Sequence, residues 1–167
     1  MKRILLVCTG NTCRSPMAEA LAKPLLKQLD LDLVVSSAGT YAVPGDLASE
    51  AAIEVLGEEG LDLAAHRARA LTPEMVEEAD LIITMTWRNR EHVLGIAPWA
   101  EKKMYLLKEL AEKGLHGAGT NRGKDRKTWD ITDPLGSPVT VYREVKGELK
   151  RCLLKALKHI KEQEGLG

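Results

Sequence analysis

The feature that most constrains the fold stands at the start of the chain, where an apolar run, Ile4 to Val7, breaks into Cys8-Thr9-Gly10-Asn11-Thr12-Cys13-Arg14-Ser15-Pro16. The run from Arg3 to Val7 is short, has no helical period and meets glycine, asparagine and proline at once, which predicts a buried strand ending near Cys8. Ser15-Pro16 offers an N-cap followed by proline at the first helical position. Glu19 falls in the first turn, and Met17, Leu21 and Leu25 are spaced by four, so a helix is predicted directly after the loop. Pro24 lies inside that helix, where a missing N–H and a clash with the preceding turn predict a kink or an early end.

The rest of the chain keeps the same alternation. Leu33 to Ser37 predicts a second strand, ending at Ala38-Gly39, and Asp46 is the predicted cap of a helix carrying Ala51, Ala52, Val55 and Leu56. Thr72-Pro73-Glu74 opens a short helix. Leu81 to Met85, rich in β-branched residues, predicts a third strand and Lys103 to Leu107 a fourth. From Val141 onward, Val145, Leu149, Cys152, Leu153, Ala156 and Ile160 recur at helical spacing, so a long amphipathic helix closes the pattern. Strands alternating with helices predict an α/β fold: a single domain over residues 1–167, with a four-stranded parallel sheet flanked by helices. Its ligand site is expected at the carboxyl ends of the strands, where Cys8 lies. Lys113 to Lys127, with Gly114, Gly117, Gly119 and Gly123 among basic residues, is the predicted mobile surface loop.

Charge and composition narrow the partners. Lys plus Arg number 24 and Asp plus Glu number 24, so no overall field favours nucleic acid or an anionic membrane. The apolar run after Met1-Lys2-Arg3 is too short for a signal-peptide core, and no later stretch reaches transmembrane length, so a soluble, cytoplasmic protein is expected. The 3 cysteines, two of them crowded into the stretch from Cys8 to Cys13, suit reduced thiols better than a disulfide framework.

A loop joining a strand to a helix can turn its backbone N–H groups and the positive end of the helix onto one anion, so residues Thr9 to Ser15 are the candidate phosphate cradle. The same field favours a thiolate at Cys8, able to attack phosphorus. Arg14 closes the spacing Cys-x5-Arg, and its planar fork can hold two oxygens of a transferring phosphoryl group. A leaving group needs a proton, and two carboxylic acids, Asp130 and Asp133, stand together before the last helix. Asp133-Pro134 holds its aspartate extended in a loop.

These residues resemble the low-molecular-weight protein tyrosine phosphatases: the string Val7 to Glu19 resembles that family's N-terminal loop, Ser37-Ala38-Gly39 the end of its second strand, and Asp133-Pro134 its late general-acid motif. The resemblance implies Cys8 as nucleophile, Arg14 as phosphate clamp and Asp133 as the acid that protonates the leaving group and then activates water. Thr9, Gly10, Asn11, Thr12, Cys13, Arg14 and Ser15 would bind the phosphate. It also implies that Ser15 hydrogen-bonds the thiolate, that Asn11 braces the loop, and that His66 supports Asn11. Neither metal nor cofactor is needed, and the partner is a phosphorylated protein met by a monomer or weak dimer.

Within the family, tyrosine phosphatases usually carry a larger aliphatic residue at the position of Thr12, whereas protein-arginine phosphatases carry threonine. Leu135-Gly136 stand where tyrosine-specific members commonly place aromatics. Both features point to phosphoarginine, with phosphotyrosine as the alternative. Thioredoxin-linked arsenate reductases share the loop but need further redox cysteines, and the remaining one, Cys152, lies on the apolar stripe of the last helix. A non-catalytic phosphate-binding module would not need the acid at Asp133.

Overall fold

The computed structural model describes residues 2–118 and 126–165. The first strand, β1 (Lys2–Cys8), runs into α1 (Arg14–Gln28), and β2 (Leu33–Gly39) into α2 (Glu50–Gly57). After α3 (Pro73–Glu78) come β3 (Leu81–Thr84), α4 (Trp87–Ile96), β4 (Met104–Leu106) and α5 (Leu107–Gly117), and α6 (Val139–Gly165) closes the fold. The four strands form one sheet in the order β2-β1-β3-β4, and every neighbouring pair is parallel.

Helices cover both faces, which is why β1 reads as an unbroken apolar run. Ile4, Leu6 and Cys8 enter the larger core with α1, α2, α5 and α6. Leu5 and Val7 point the other way, into a smaller core with Val76 of α3 and Val93 of α4. Period-two alternation along β1 thus places the Cys8 thiol on the α1 side. The register sets Cys8 beside Gly39 of β2 and Val7 beside Thr84 of β3.

Four local expectations are corrected. Helix α1 begins at Arg14, with Cys13 rather than Ser15 at the cap position and no side-chain capping bond, because the Ser15 hydroxyl is engaged by the loop. The helix also runs through Pro24 to Gln28; Pro24 is exposed, so the backbone displaced by its ring is accommodated on the solvent side. Ser49, not Asp46, caps α2, its Oγ accepting from the Ala52 amide at 3.4 Å. The Asp46 carbonyl accepts from Ala68 N at 2.8 Å, which ties down the loop before the helix. Lys113 to Gly117, expected in a loop, belong to α5, although Gly114 breaks its helical geometry with φ 69°. The heart of the predicted loop, residues 119–125, lies outside the described residues. Two helices, α4 and α5, were not predicted from the sequence. No helix among the described residues is long and apolar enough to cross a membrane.

Candidate active site

Strand β1 delivers Cys8 to the carboxyl edge of the sheet, where the residue is 2% exposed. Its Sγ lies 2.8 Å from Ser15 Oγ. Asn11 Nδ2 donates to that same hydroxyl at 2.8 Å, so the Ser15 proton is left to point at sulfur, the direction that steadies a thiolate. Asn11 holds a left-handed φ of 55° and anchors it with its side chain. Nδ2 also donates to Ser37 Oγ at 3.0 Å, whose own hydroxyl donates to Glu19 at 2.8 Å, and Oδ1 accepts the Arg69 amide at 2.9 Å. His66 Nε2 lies 2.8 Å from the Asn11 carbonyl; a carbonyl only accepts, so this nitrogen carries the proton.

The loop's carbonyls are turned outward and met one by one. Cys8 O accepts from Thr40 N at 3.0 Å, Thr9 O from Tyr41 N at 2.9 Å and Thr12 O from Ser49 N at 3.0 Å. Carbonyls tied to flanking loops in this way free the intervening amides to gather on an anion. Close approach of β2 makes this possible. A Cβ at Gly39 would stand 2.5 Å from Thr9 O and 3.0 Å from Asn11 Cβ, so only glycine fits there.

Arg14 is 3% exposed. Its Nη1 donates to Ile131 O at 2.9 Å, and Nη2 lies 3.5 Å from Asp133 Oδ2. The Asp133 carboxyl is about half exposed and is aimed by its own turn, Oδ1 accepting from Leu135 N at 3.1 Å. Thr9, Arg14, Trp87, Glu91, Asp130 and Asp133 line one cleft of about 720 Å³. The fold therefore brings Arg14 and Asp133 to one cleft, and Cys8 lies buried at the start of the loop that leads to Arg14. Asp130 is bound to α4 instead, its Oδ1 accepting from the Trp87 amide at 2.8 Å. A buried thiol, a guanidinium and a half-exposed carboxyl around this loop can bind a phosphoryl group, attack it and protonate what leaves.

The family model described as "Low molecular weight phosphotyrosine protein phosphatase" matches residues 3–165. The chain belongs to that family. It is a phosphatase, and thus a hydrolase. Among its relatives, a protein-arginine-phosphatase of Geobacillus stearothermophilus is 40% identical over 90% of each chain. Another protein-arginine-phosphatase, from Bacillus subtilis, is 36% identical over 95% of this chain and 97% of its own length. A solved structure of the YwlE arginine phosphatase, a cysteine-to-serine mutant with a phosphorylated active-site serine, superposes with a TM-score of 0.84 at 33% identity, covering 99% of each chain.

Around the loop of this phosphatase stand residues that sequence reasoning missed. Asn89, fully buried in α4, donates through Nδ2 to Thr9 Oγ1 at 3.1 Å, pinning the loop from the β3 side. The Cys13 thiol is held between α2 and α6, donating to Ser49 Oγ at 3.4 Å with Tyr142 Oη at 3.3 Å. Burial, and then the bond to Cys13, push the Tyr142 hydroxyl up to about 12, so it remains a neutral donor. No local signal marks Asn89 or Tyr142, since each is polar in a helix face that only the fold turns inward. Cys152 is buried on α6, and burial followed by the charge of Glu148 pushes its thiol up, as suits a packing residue rather than a nucleophile.

Proposed function

We propose that this phosphatase hydrolyses protein phosphoarginine through a phosphocysteine. Cys8 Sγ attacks phosphorus in line with the departing nitrogen. The P–N bond breaks, the nitrogen keeps the electron pair, and Asp133 supplies its proton. Asp133, now a carboxylate, then takes a proton from water as the water oxygen attacks phosphorus, the P–S bond breaks and phosphate leaves. Arg14 and the amides of Thr9 to Ser15 hold the phosphoryl oxygens throughout. One observation carries this mechanism: the Arg14 guanidinium, on the same loop as the Cys8 thiol, stands 3.5 Å from the Asp133 carboxylate. A protein with a thiol nucleophile needs a reducing compartment, and we place it in the cytosol on that ground.

Support for arginine comes from Thr12, half-buried on the loop, whose hydroxyl suits a polar guanidino group, and from exposed Leu135 at a position where an aromatic would sandwich a phenyl ring. It comes as well from the two protein-arginine-phosphatases above. Phosphotyrosine has one observation of its own, the aromatic side chain of Trp87 among the residues that line the cleft. The deciding measurement compares release of phosphate from phosphoarginine and phosphotyrosine peptides. The expected result is faster release from phosphoarginine, with Cys8→Ser lowering kcat on both by about a thousandfold or more. Faster release from phosphotyrosine would reverse the assignment of substrate, and activity surviving in Cys8→Ser would remove the mechanism.

A further inference from the structure

Of the two aspartates that precede the last helix, the mechanism uses only Asp133, although Asp130 lines the same cleft as Arg14. Asp130 is half-buried, and its Oδ1 is fixed by the Trp87 amide at 2.8 Å. Oδ2 is bonded to no described residue. The next peptide is clamped on both sides, Ile131 N donating to Met85 O at 2.9 Å while Ile131 O accepts from Arg14 at 2.9 Å. The Asp130 carboxylate is therefore preorganised: it cannot swing away when substrate enters, because its own bond and its neighbour's bonds hold it to the ends of β3 and α4.

The other charges in the cleft sort by position. Arg14 is committed to the phosphoryl oxygens, Arg88 and Glu91 sit exposed at the rim, and Asp133 exchanges a proton during each cycle. Asp130 is left as the half-buried, anchored carboxyl in the same cleft as Arg14 and Asp133. A phosphorylated guanidino group carries positive charge at neutral pH and departs, after protonation, as a guanidinium; a phenol departs neutral. A fixed carboxylate in a partly desolvated cleft stabilises the first along the whole reaction path and does nothing for the second.

We propose that Asp130 is a specificity-determining residue, whose carboxylate favours a cationic guanidine leaving group over a neutral phenol. The inference rests on the phosphoarginine reading for its biological meaning, but its test is separate. Asp130→Asn keeps an acceptor for the Trp87 amide and removes only the charge. The quantity to measure is the ratio of kcat/KM on a phosphoarginine peptide to that on a phosphotyrosine peptide of the same flanking sequence. The ratio is expected to fall about tenfold relative to the unaltered enzyme, or roughly 1.4 kcal/mol of differential transition-state binding. Asp130→Ala, which also loses the bond to Trp87, should show the same fall together with a lower melting temperature. A ratio unchanged in Asp130→Asn, including an equal drop on both substrates, would overturn the proposal and leave Asp130 as an anchor for α4. Preference of the unaltered enzyme for phosphotyrosine would sink the substrate assignment, yet the change in ratio on Asp130→Asn would still decide this one.

Discussion

Asn11 combines two demands that no other residue type meets together. Its backbone sits at φ 55°, where asparagine is tolerated and most residues are strained, and its amide satisfies Ser15, Ser37 and the Arg69 N–H at once. Replacing it by alanine takes one partner from each of Ser15 and Ser37 and removes the acceptor of the Arg69 N–H in a strained loop, an expected loss of about 2–4 kcal/mol. Asn11→Gly removes the strain and keeps the loss of bonds, so it should recover only part of that stability. Denaturant melts of the two variants check the ranking; equal stability of Asn11→Ala and the unaltered enzyme would show that the network is dispensable. At this scale the sequence was legible where chemistry is local: Cys8, Asn11, Arg14 and Ser15 fall within eight residues of chain. It was not legible for Asn89 or Tyr142, because a buried polar side chain announces itself only through partners far away in sequence, whereas Asp130 stood beside Asp133 as a candidate acid. Asp133 lies between these cases, visible through family resemblance and not from its local context.

Elements were read well where burial writes a clean pattern. β1 and β3 are buried on both faces, so they appear as apolar runs, and α6 shows its stripe because only one face packs. Helix α4 failed that test for a physical reason: its inward positions include Asn89 and Arg90 beside Val93. Arg90 lies over the Trp87 ring at 5.0 Å and Asn89 reaches Thr9, so function has replaced the apolar period with polar residues. Helix α5 was hidden by its glycines. At Gly114, φ 69° and ψ −179° define a backbone region essentially confined to glycine, and an added Cβ would lie 3.2 Å from the His159 ring of α6. Gly114→Ala should therefore cost about 1–3 kcal/mol, seen as a fall of roughly 2–12 °C in melting temperature, while kcat stays near its original value because α5 does not line the cleft. A melting temperature unchanged by this substitution would mean that α5 can relax away from α6 at no cost.

Across the whole molecule, α6 is fastened to α2 by charge as well as by apolar packing. Arg143 grips Glu58 in a two-pronged bond, with contacts of 2.7 and 3.0 Å, and Lys150 reaches Glu59 at 2.8 Å. Lys146, between them, donates to the Val55 carbonyl at 3.2 Å. The carboxyls are held below their ordinary value, Glu58 first by its bond to Arg143 and Glu59 first by its bond to Lys150. A carboxyl depressed in the folded state contributes stability in full above its unfolded value of about 4.5, and that contribution disappears as the pH falls through the lower folded value. Acid below pH 4.5 is thus expected to loosen α6 from α2, and the slope of melting temperature against pH there should be shallower in the double variant Glu58→Gln, Glu59→Gln. The pairs are solvent-exposed, so the effect is small and weakens further in salt. The long reach of these contacts has a consequence for biosynthesis. A ribosome makes Cys8 and Arg14 before the groups they meet in the fold, which follow about 120 residues later: the carbonyl of Ile131 that receives Arg14, the carboxyl of Asp133 and the Tyr142 hydroxyl against Cys13. At about 5–20 residues per second the nascent chain spends on the order of ten seconds with the Cys8 thiol made and the Asp133 carboxyl still to come, so the cleft cannot assemble around the first strand and helix alone.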